Sequence, residues 1–276
     1  MNYRHAYHAG NHIDVFKHAV LVMLLEHLRR KPKPFTVLDT HAGAGRYDLR
    51  SIEAGKTGEA EDGIGRAIAG ELPAAAAYLD LVRRLNPDGL ATYPGSPAIV
   101  AAFLRDDDRL IACELHEEEA AKLRRAFRGD PRVAVHHRNG YEAIGAFVPF
   151  PSRRGLVLID PPYEKDDPDP YGAVARAMNA GLRKWPGGIF AAWYPLKDRT
   201  GIERIRSLYE GGTRPTLAAE FLRVPIDGTA FAGGGMLIVN PPHGIADRIA
   251  ALGSELAVAL DAPRARLGLD WWIAES

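Results

Sequence analysis

The chain has 276 residues, of which 46% are hydrophobic and 25% charged, the balance of a water-soluble globular protein with enough apolar surface to fold without disulfides. Its single cysteine, Cys113, cannot form an intrachain bridge; within the run LIAC it reads as a buried strand position, and a reducing cytoplasm is the expected compartment. Thirty-five basic residues offset 35 acidic ones, which argues against a broadly nucleic-acid-coating surface and leaves room for a local basic face.

Residues 1–11 are polar and rich in His, Tyr and Asn. Asn11 is suited to cap a helix over about His12–Arg30, where Ile13, Phe16, Val20, Met23 and Leu24 recur at helical spacing and predict one core-facing stripe. The apolar stretch Ala19–Leu25 is too short to cross a bilayer and is flanked by Lys17 and Glu26, and no signal-peptide pattern is present, so no membrane partner is expected. His8 and His12 are four apart, a spacing used in metal sites. No cysteine or nearby pair of carboxylates completes a set, and no metal is expected. Arg29, Arg30, Lys31 and Lys33 form one basic cluster, and Lys122, Arg124, Arg125 and Arg128 another; solvated helix faces explain both.

Pro32 and Pro34 end the first helix. FTVLDT then reads as a short buried strand, and HAGAGRYD as a Gly-rich loop. Residues 48–96 are rich in Ala, Leu, Glu and Arg and predict a small inserted helical subdomain, with 1–47 and 97–276 forming the main domain. Beyond it RLIACEL, RVAVHH, GLVLID and GIFAAWY predict strands, with helices around His116–Arg128 and Tyr171–Lys184. Further strands are expected near Ala218–Val224 and Met236–Val239, and a helix near Ile245–Leu260. Alternating strands and helices predict an α/β fold with a mostly parallel sheet. No internal repeat or coiled-coil seam appears, and a monomer with no obligate protein partner is expected.

The strongest chemical signal is Asp160-Pro161-Pro162-Tyr163, directly after the strand GLVLI. In parallel α/β sheets ligands bind beyond the carboxyl ends of strands. An adenine amino group donates two hydrogens, and its lone pair is delocalised into the ring. The Asp160 carboxylate can accept one hydrogen and the Pro161 carbonyl the other, favouring a nitrogen whose lone pair faces a methyl donor. Tyr163 offers a face for base stacking, worth about 1–3 kcal/mol. Asn in place of Asp160 would retain an acceptor. An isolated Asp-Pro-Pro would equally be a capped turn. Asn240-Pro241-Pro242-His243 is a second, weaker instance that ends in His; the end of a late strand explains it.

Leu38-Asp39-Thr40-His41-Ala42-Gly43-Ala44-Gly45 is a strand ending in an acid and followed by a GxG loop, in which glycine lets backbone approach a ligand. A dinucleotide fingerprint would need a third glycine where Asp48 stands, and no GKS or GKT is present. Glu114 ends the strand LIACEL, where an acid accepts from ribose hydroxyls; it could equally cap the next helix. The usual spacing of about 20 residues is exceeded because of the insertion. Asn139-Gly140 offers a side-chain amide to an adenine ring, or forms a hairpin turn.

YRHAYHAGNHIDVFKH at the start, LDTHAGAGRY, YPGSP and LIDPPYE together resemble the RlmJ family of 23S ribosomal RNA adenine-N6 methyltransferases, almost end to end. The resemblance implies a Rossmann-like methyltransferase fold with a small inserted helical subdomain and S-adenosylmethionine (SAM) as methyl donor. It implies SAM contacts at His18, His41, Gly43, Gly45, Ser96, Glu114, Asn139, Gly140 and Asp160, catalysis by Asp160 with Pro161 and Tyr163, and substrate contacts at Tyr3, His5 and Lys17. Its substrate would be large-subunit ribosomal RNA. Many relatives carry Asp-Gly where this chain has Asn139-Gly140. Three other readings compete. A DNA adenine methyltransferase shares the Asp-Pro-Pro-Tyr motif but not the start; a glutamine methyltransferase more often carries Asn-Pro-Pro-Tyr; a non-catalytic RNA-binding module would not need Asp160 and Glu114 intact.

Overall fold

Thr36 and Val37 are β-branched, Pro34 stops the preceding helix, and strand β1 (Thr36–Asp39) forms there, wholly buried. The computed structural model describes residues 8–51, 58–164, 167–228 and 231–274. Beside β1 lie β4 (Arg109–Glu114), β5 (Val133–His137), β6 (Gly155–Ile159) and β7 (Ile189–Leu196), parallel in the order β5-β4-β1-β6-β7. β9 (Gly233–Val239) adds to β7 antiparallel, and β8 (Thr216–Leu222) to β9. β10 (Arg266–Ile273) forms the edge beside β8. The sequence did not reveal β10, whose residues are half exposed and carry charge within the apolar alternation.

Side chains alternate across the sheet, as the two-residue strand period requires. Val37, Leu156 and Leu158 enter the hydrophobic core on one face, and Leu38, Val157 and Ile159 the core on the other. Cys113 belongs to the second core, and burial pushes its thiol up to about 12, so it is an inert core residue.

Helix α1 (His12–Arg29) is capped as expected: Asn11 Oδ1 accepts from the Ile13 and Asp14 N–H groups at 3.0 and 2.9 Å. The expected single apolar stripe is corrected. Residues 13–25 are all buried, because α1 is covered by the insertion, α4 (Ser96–Phe103), α9 (Ile245–Ala259) and β9. Asp14, Lys17 and His18 are therefore polar groups inside the protein. At the far end of α1, Arg105 donates to the Lys31 and Lys33 carbonyls and Arg154 donates to the Lys33 carbonyl. The first basic cluster thus surrounds a helix C-terminus, roughly 25 Å of helix from residue 12.

The insertion is not wholly helical. A π-helical turn (Glu61–Gly65) runs into α2 (Arg66–Ala69), followed by a 3-10 turn (Pro73–Ala75) and α3 (Ala76–Leu85). Strands β2 (Arg46–Asp48) and β3 (Thr92–Pro94) pair antiparallel at its neck, with Tyr47 opposite Tyr93. Gly63 lets the insertion sit on the entry to α1: a Cβ there would lie 2.2 Å from the Gly10 carbonyl oxygen, which accepts from Ile64 N–H at 2.8 Å.

The remaining helices are α5 (Glu117–Ala126), α6 (Gly140–Phe147), α7 (Pro170–Lys184) and α8 (Thr200–Leu208). Three short helices, α4, α6 and α8, had escaped the sequence reading. Among the described residues no helix is long and apolar enough to cross a membrane.

Candidate active site

Chain direction decides which motifs meet. β1, β4, β5 and β6 are parallel, so the residues that follow them emerge at one edge of the sheet. The chain leaves β1 towards β4 and β5 on one side and then crosses back to β6 and β7 on the other, a reversal of strand order beside β1 that opens a crevice at that edge. β9 is antiparallel to β7, and Asn240-Pro241-Pro242-His243 therefore ends at the opposite edge, where Asn240 Nδ2 donates to the Pro186 and Gly188 carbonyls. The second Pro-Pro motif is a strand terminus.

The crevice is a cavity of about 600 Å³, a size that suits a small-molecule cofactor. His18, His41, Gly43, Ser96, Glu114, Asn139 and Gly140 all line it, as do Asp160, Pro161, Tyr163 and Lys17. Tyr3 and His5 lie outside the described residues. Gly45 does not line the cavity. A Cβ on it would meet Leu123 Cδ1 at 2.9 Å and Phe127 Cε2 at 3.1 Å, and its φ is +82°. It shapes the loop against α5, whereas Gly43 faces the cavity.

Glu114 closes the GxG loop onto the sheet. Oε2 accepts from Gly43 N–H at 2.9 Å and Oε1 from His116 N–H at 2.7 Å. Each oxygen keeps a second lone pair for a hydroxyl. Asn139 does not form a hairpin turn. It caps α6, with Oδ1 accepting from Tyr141 N–H at 2.9 Å and from Glu142 N–H. The cap commits the acceptor oxygen, and the Nδ2 donor is what the side chain offers to a ligand. Gly140 is required by packing: a Cβ there would lie 1.9 Å from the Thr40 carbonyl oxygen.

Asp160 follows β6. Lys17 Nζ donates to its Oδ2 at 2.6 Å and lies 3.0 Å from Asp14 Oδ1. This triad is nearly buried, with Lys17 5.4 Å from the Trp193 ring centroid, where ring and carboxylates together hold the ammonium. Asp160 Oδ1 has no partner among the described residues. Tyr163 is less free than a stacking plate. Its hydroxyl donates to the Trp193 carbonyl at 2.6 Å, and its ring packs on Tyr171 and Trp193 at 4.7 and 5.4 Å. It is a fixed wall of the cavity.

The two histidines are set by neighbouring hydroxyls. Thr40 Oγ1 donates its only hydrogen to the Leu158 carbonyl at 2.9 Å, so it accepts from His41 Nδ1 at 2.7 Å. That leaves His41 Nε2 as an acceptor. Burial pushes His41 down to about 4, so it is neutral near pH 7. His8 and His12 have different partners. His8 Nδ1 lies 3.0 Å from Glu59 on the insertion, and His12 packs on Phe231 with ring centroids 6.2 Å apart.

Sequence reading missed Asp14, Trp193 and Glu59. Asp14 looks like an ordinary acid in a helix first turn, Trp193 was seen only within a strand, and Glu59 lies in the insertion. All three line the cavity. Among the described residues the lining carries seven carboxylates and one lysine, Lys17. Such a wall repels nucleotide phosphates and attracts a cationic ligand.

Asp39, behind this wall at the end of β1, is fully buried. Burial, reinforced by the charges of Asp160 and Glu114, pushes its carboxyl up to about 7. The unfolded carboxyl titrates near ~3.9, so the folded state binds the extra proton between these values. Stability contributed by Asp39 is complete below about pH 4 and is lost as pH rises through about 7. Asp39→Asn should flatten that loss: its melting temperature relative to the native protein should rise from pH 5 to pH 8. A constant offset across that range would mean that Asp39 is ionised throughout.

Comparison with known proteins shows the family of the chain. A family model described as "Ribosomal RNA large subunit methyltransferase D, RlmJ" matches residues 32–273. The chain is 44% identical over 248 residues to ribosomal RNA large subunit methyltransferase J of Escherichia coli, covering 88% of each. It is 43% identical over 249 residues to the protein of the same name from Haemophilus influenzae, again covering 88% of each. The chain belongs to this family. A crystal structure of a Legionella pneumophila protein superposes with a TM-score of 0.88 at 30% identity, covering 96% of this chain and 98% of that one.

Proposed function

We infer that this protein transfers a methyl group from SAM to N6 of an adenine in large-subunit ribosomal RNA. Family membership carries the reaction class, the donor and the RNA substrate. One observation carries the site: Asp160 stands at the C-terminal end of β6 in a carboxylate-lined cavity, with Oδ2 held by Lys17 and Oδ1 open.

When bound, SAM supplies a methyl group on a positively charged sulfur, and the acidic lining suits that charge. Gly43 and Gly140 bring backbone to the cavity wall, Glu114 accepts from ribose hydroxyls, and Asn139 presents its amide nitrogen to the adenine ring. Asp160 Oδ1 accepts one N6 hydrogen and the Pro161 carbonyl the other, while Lys17 fixes the carboxylate's rotation. Most of the acceleration comes from this positioning. The proton released when N6 gains the methyl group passes to Asp160, the nearest carboxylate. The target adenine must be unstacked or single-stranded to enter. Tyr3 and His5 keep the substrate role implied by the family resemblance. Residues 48–96 act as a subdomain whose Glu59 holds the entry to α1. The protein works as a monomer in the cytoplasm.

Labelled SAM offered with ribosomal RNA, duplex DNA and protein, followed by nucleoside analysis, tests the reading. N6-methyladenosine in the RNA alone is expected. Label in DNA or in glutamine would overturn the substrate, and no transfer to any acceptor would leave a binding module.

A further inference from the structure

An RNA substrate carries a negative charge on each phosphate, and the acidic cavity wall repels it. On a chain with no net charge, affinity for that backbone needs a local group of cations. The last turn of α1, the insertion helix α3 and the end of α4 enclose an open groove of about 580 Å³. Arg29 and Arg30 reach it from α1 and Arg84 from α3, and all three are exposed. Two acids also line the groove, but each is held by another arginine. Glu26 accepts from Arg248 Nη2 of α9 at 2.5 Å, and Asp80 from Arg83 Nη1 at 3.0 Å. The side chains of Arg29, Arg30 and Arg84 make no hydrogen bond or ion pair among the described residues. Arg29 lies over the Phe103 ring, 5.9 Å from its centroid. A guanidinium held against a ring is fixed in orientation and keeps its N–H edge open to an oxyanion. The negative end of α1 draws cations to this place, but about half a charge does not neutralise three guanidiniums. They repel one another until an anion sits between them.

We propose that this groove is a docking site for the phosphate backbone of the ribosomal RNA substrate, separate from the cavity that takes the target adenine. The proposal rests on the assignment of ribosomal RNA as the substrate. Helix α1 joins the two sites: Lys17 stands at the cavity and Arg29 at the groove, roughly 18 Å apart along the helix. An RNA segment of several nucleotides spans that length. One base can enter the cavity while backbone further along lies on the guanidiniums, whose paired N–H groups match phosphate oxygens. Contacts of this kind set affinity and register without reading sequence. The insertion then has a task in substrate binding, since its helix α3 supplies Arg84 and one wall of the groove.

Filter binding of protein-free large-subunit ribosomal RNA over a range of salt concentrations tests the site. Arg29→Gln, Arg30→Gln and Arg84→Gln together should weaken binding at least about tenfold near ~0.1 M salt. They should also flatten the slope of log affinity against log salt by about two to three, the share of three phosphate contacts. Lys at the same three positions should keep the native slope, because the charges remain. SAM affinity by calorimetry should be native in both variants, which shows the fold and the cavity intact. Native slope and affinity in the Gln variant would overturn the docking site. An equal loss in the Lys variant would overturn it too, since packing on Phe103 and not charge would then be responsible. The substrate assignment fails separately: native protein that binds this RNA through the three charges but transfers methyl only to DNA or protein would overturn that assignment and uphold the groove.

Discussion

Asp160→Ala should lower single-turnover methyl transfer by at least about 10²–10³-fold, the loss typical of removing one preorganised group from a reacting centre, with the fold intact. The fold should survive because Lys17 keeps Asp14 at 3.0 Å and is not left as an unpaired buried charge. Sequence reasoning allowed Asn at this place to retain activity. The Lys17 contact changes that expectation. Lys17 donates to Oδ2, so the amide of an Asp160→Asn variant would turn its oxygen to Lys17 and its NH₂ to the cavity, opposing the N6 hydrogens with another donor. Asp160→Asn should therefore be as slow as Asp160→Ala. Adding Lys17→Met, which frees the amide to turn, should recover part of the rate. Rapid-quench measurement with saturating RNA separates the cases, and near-native transfer by Asp160→Ala would remove this residue from the mechanism.

Glu114→Ala should weaken SAM binding by about 1–3 kcal/mol, roughly ten- to a hundredfold, as for loss of hydrogen bonds to a charged acceptor. Two effects combine. The ribose hydroxyls lose their acceptor, and the Gly43 and His116 N–H groups lose theirs, which loosens the loop. Glu114→Gln should recover little, because its amide NH₂ must face either a backbone N–H or a ribose hydroxyl oriented to donate. Calorimetry reads both variants. Affinity equal to that of the native protein would place the cofactor's ribose elsewhere.

What the sequence determined by itself was local. Asn11 as a cap, the buried strand at Thr36–Asp39, the strand before Asp160 and the loop at Gly43 all follow from residue types and spacing within a few positions. Each motif's chemistry follows likewise, since a carboxylate accepts wherever it is placed. Only the tertiary structure decided which motifs share one cavity. Asp160 and Asn240 each head a similar turn after a strand, and the antiparallel direction of β9 sends the second to the far edge of the sheet. Gly43 and Gly45 are alike in the sequence, but the first faces the cavity and the second faces Leu123 and Phe127. Lys17 reads from its neighbours only as the charged flank of an apolar stretch; the insertion and α9 bury α1, and Lys17 comes within 2.6 Å of a residue 143 positions away. The Tyr78–Tyr93–His18 chain joins three elements with no local signature at all. Such contacts depend on how whole elements pack. Their free energy comes from burying α1 and the insertion together, and no window of neighbouring residues contains it.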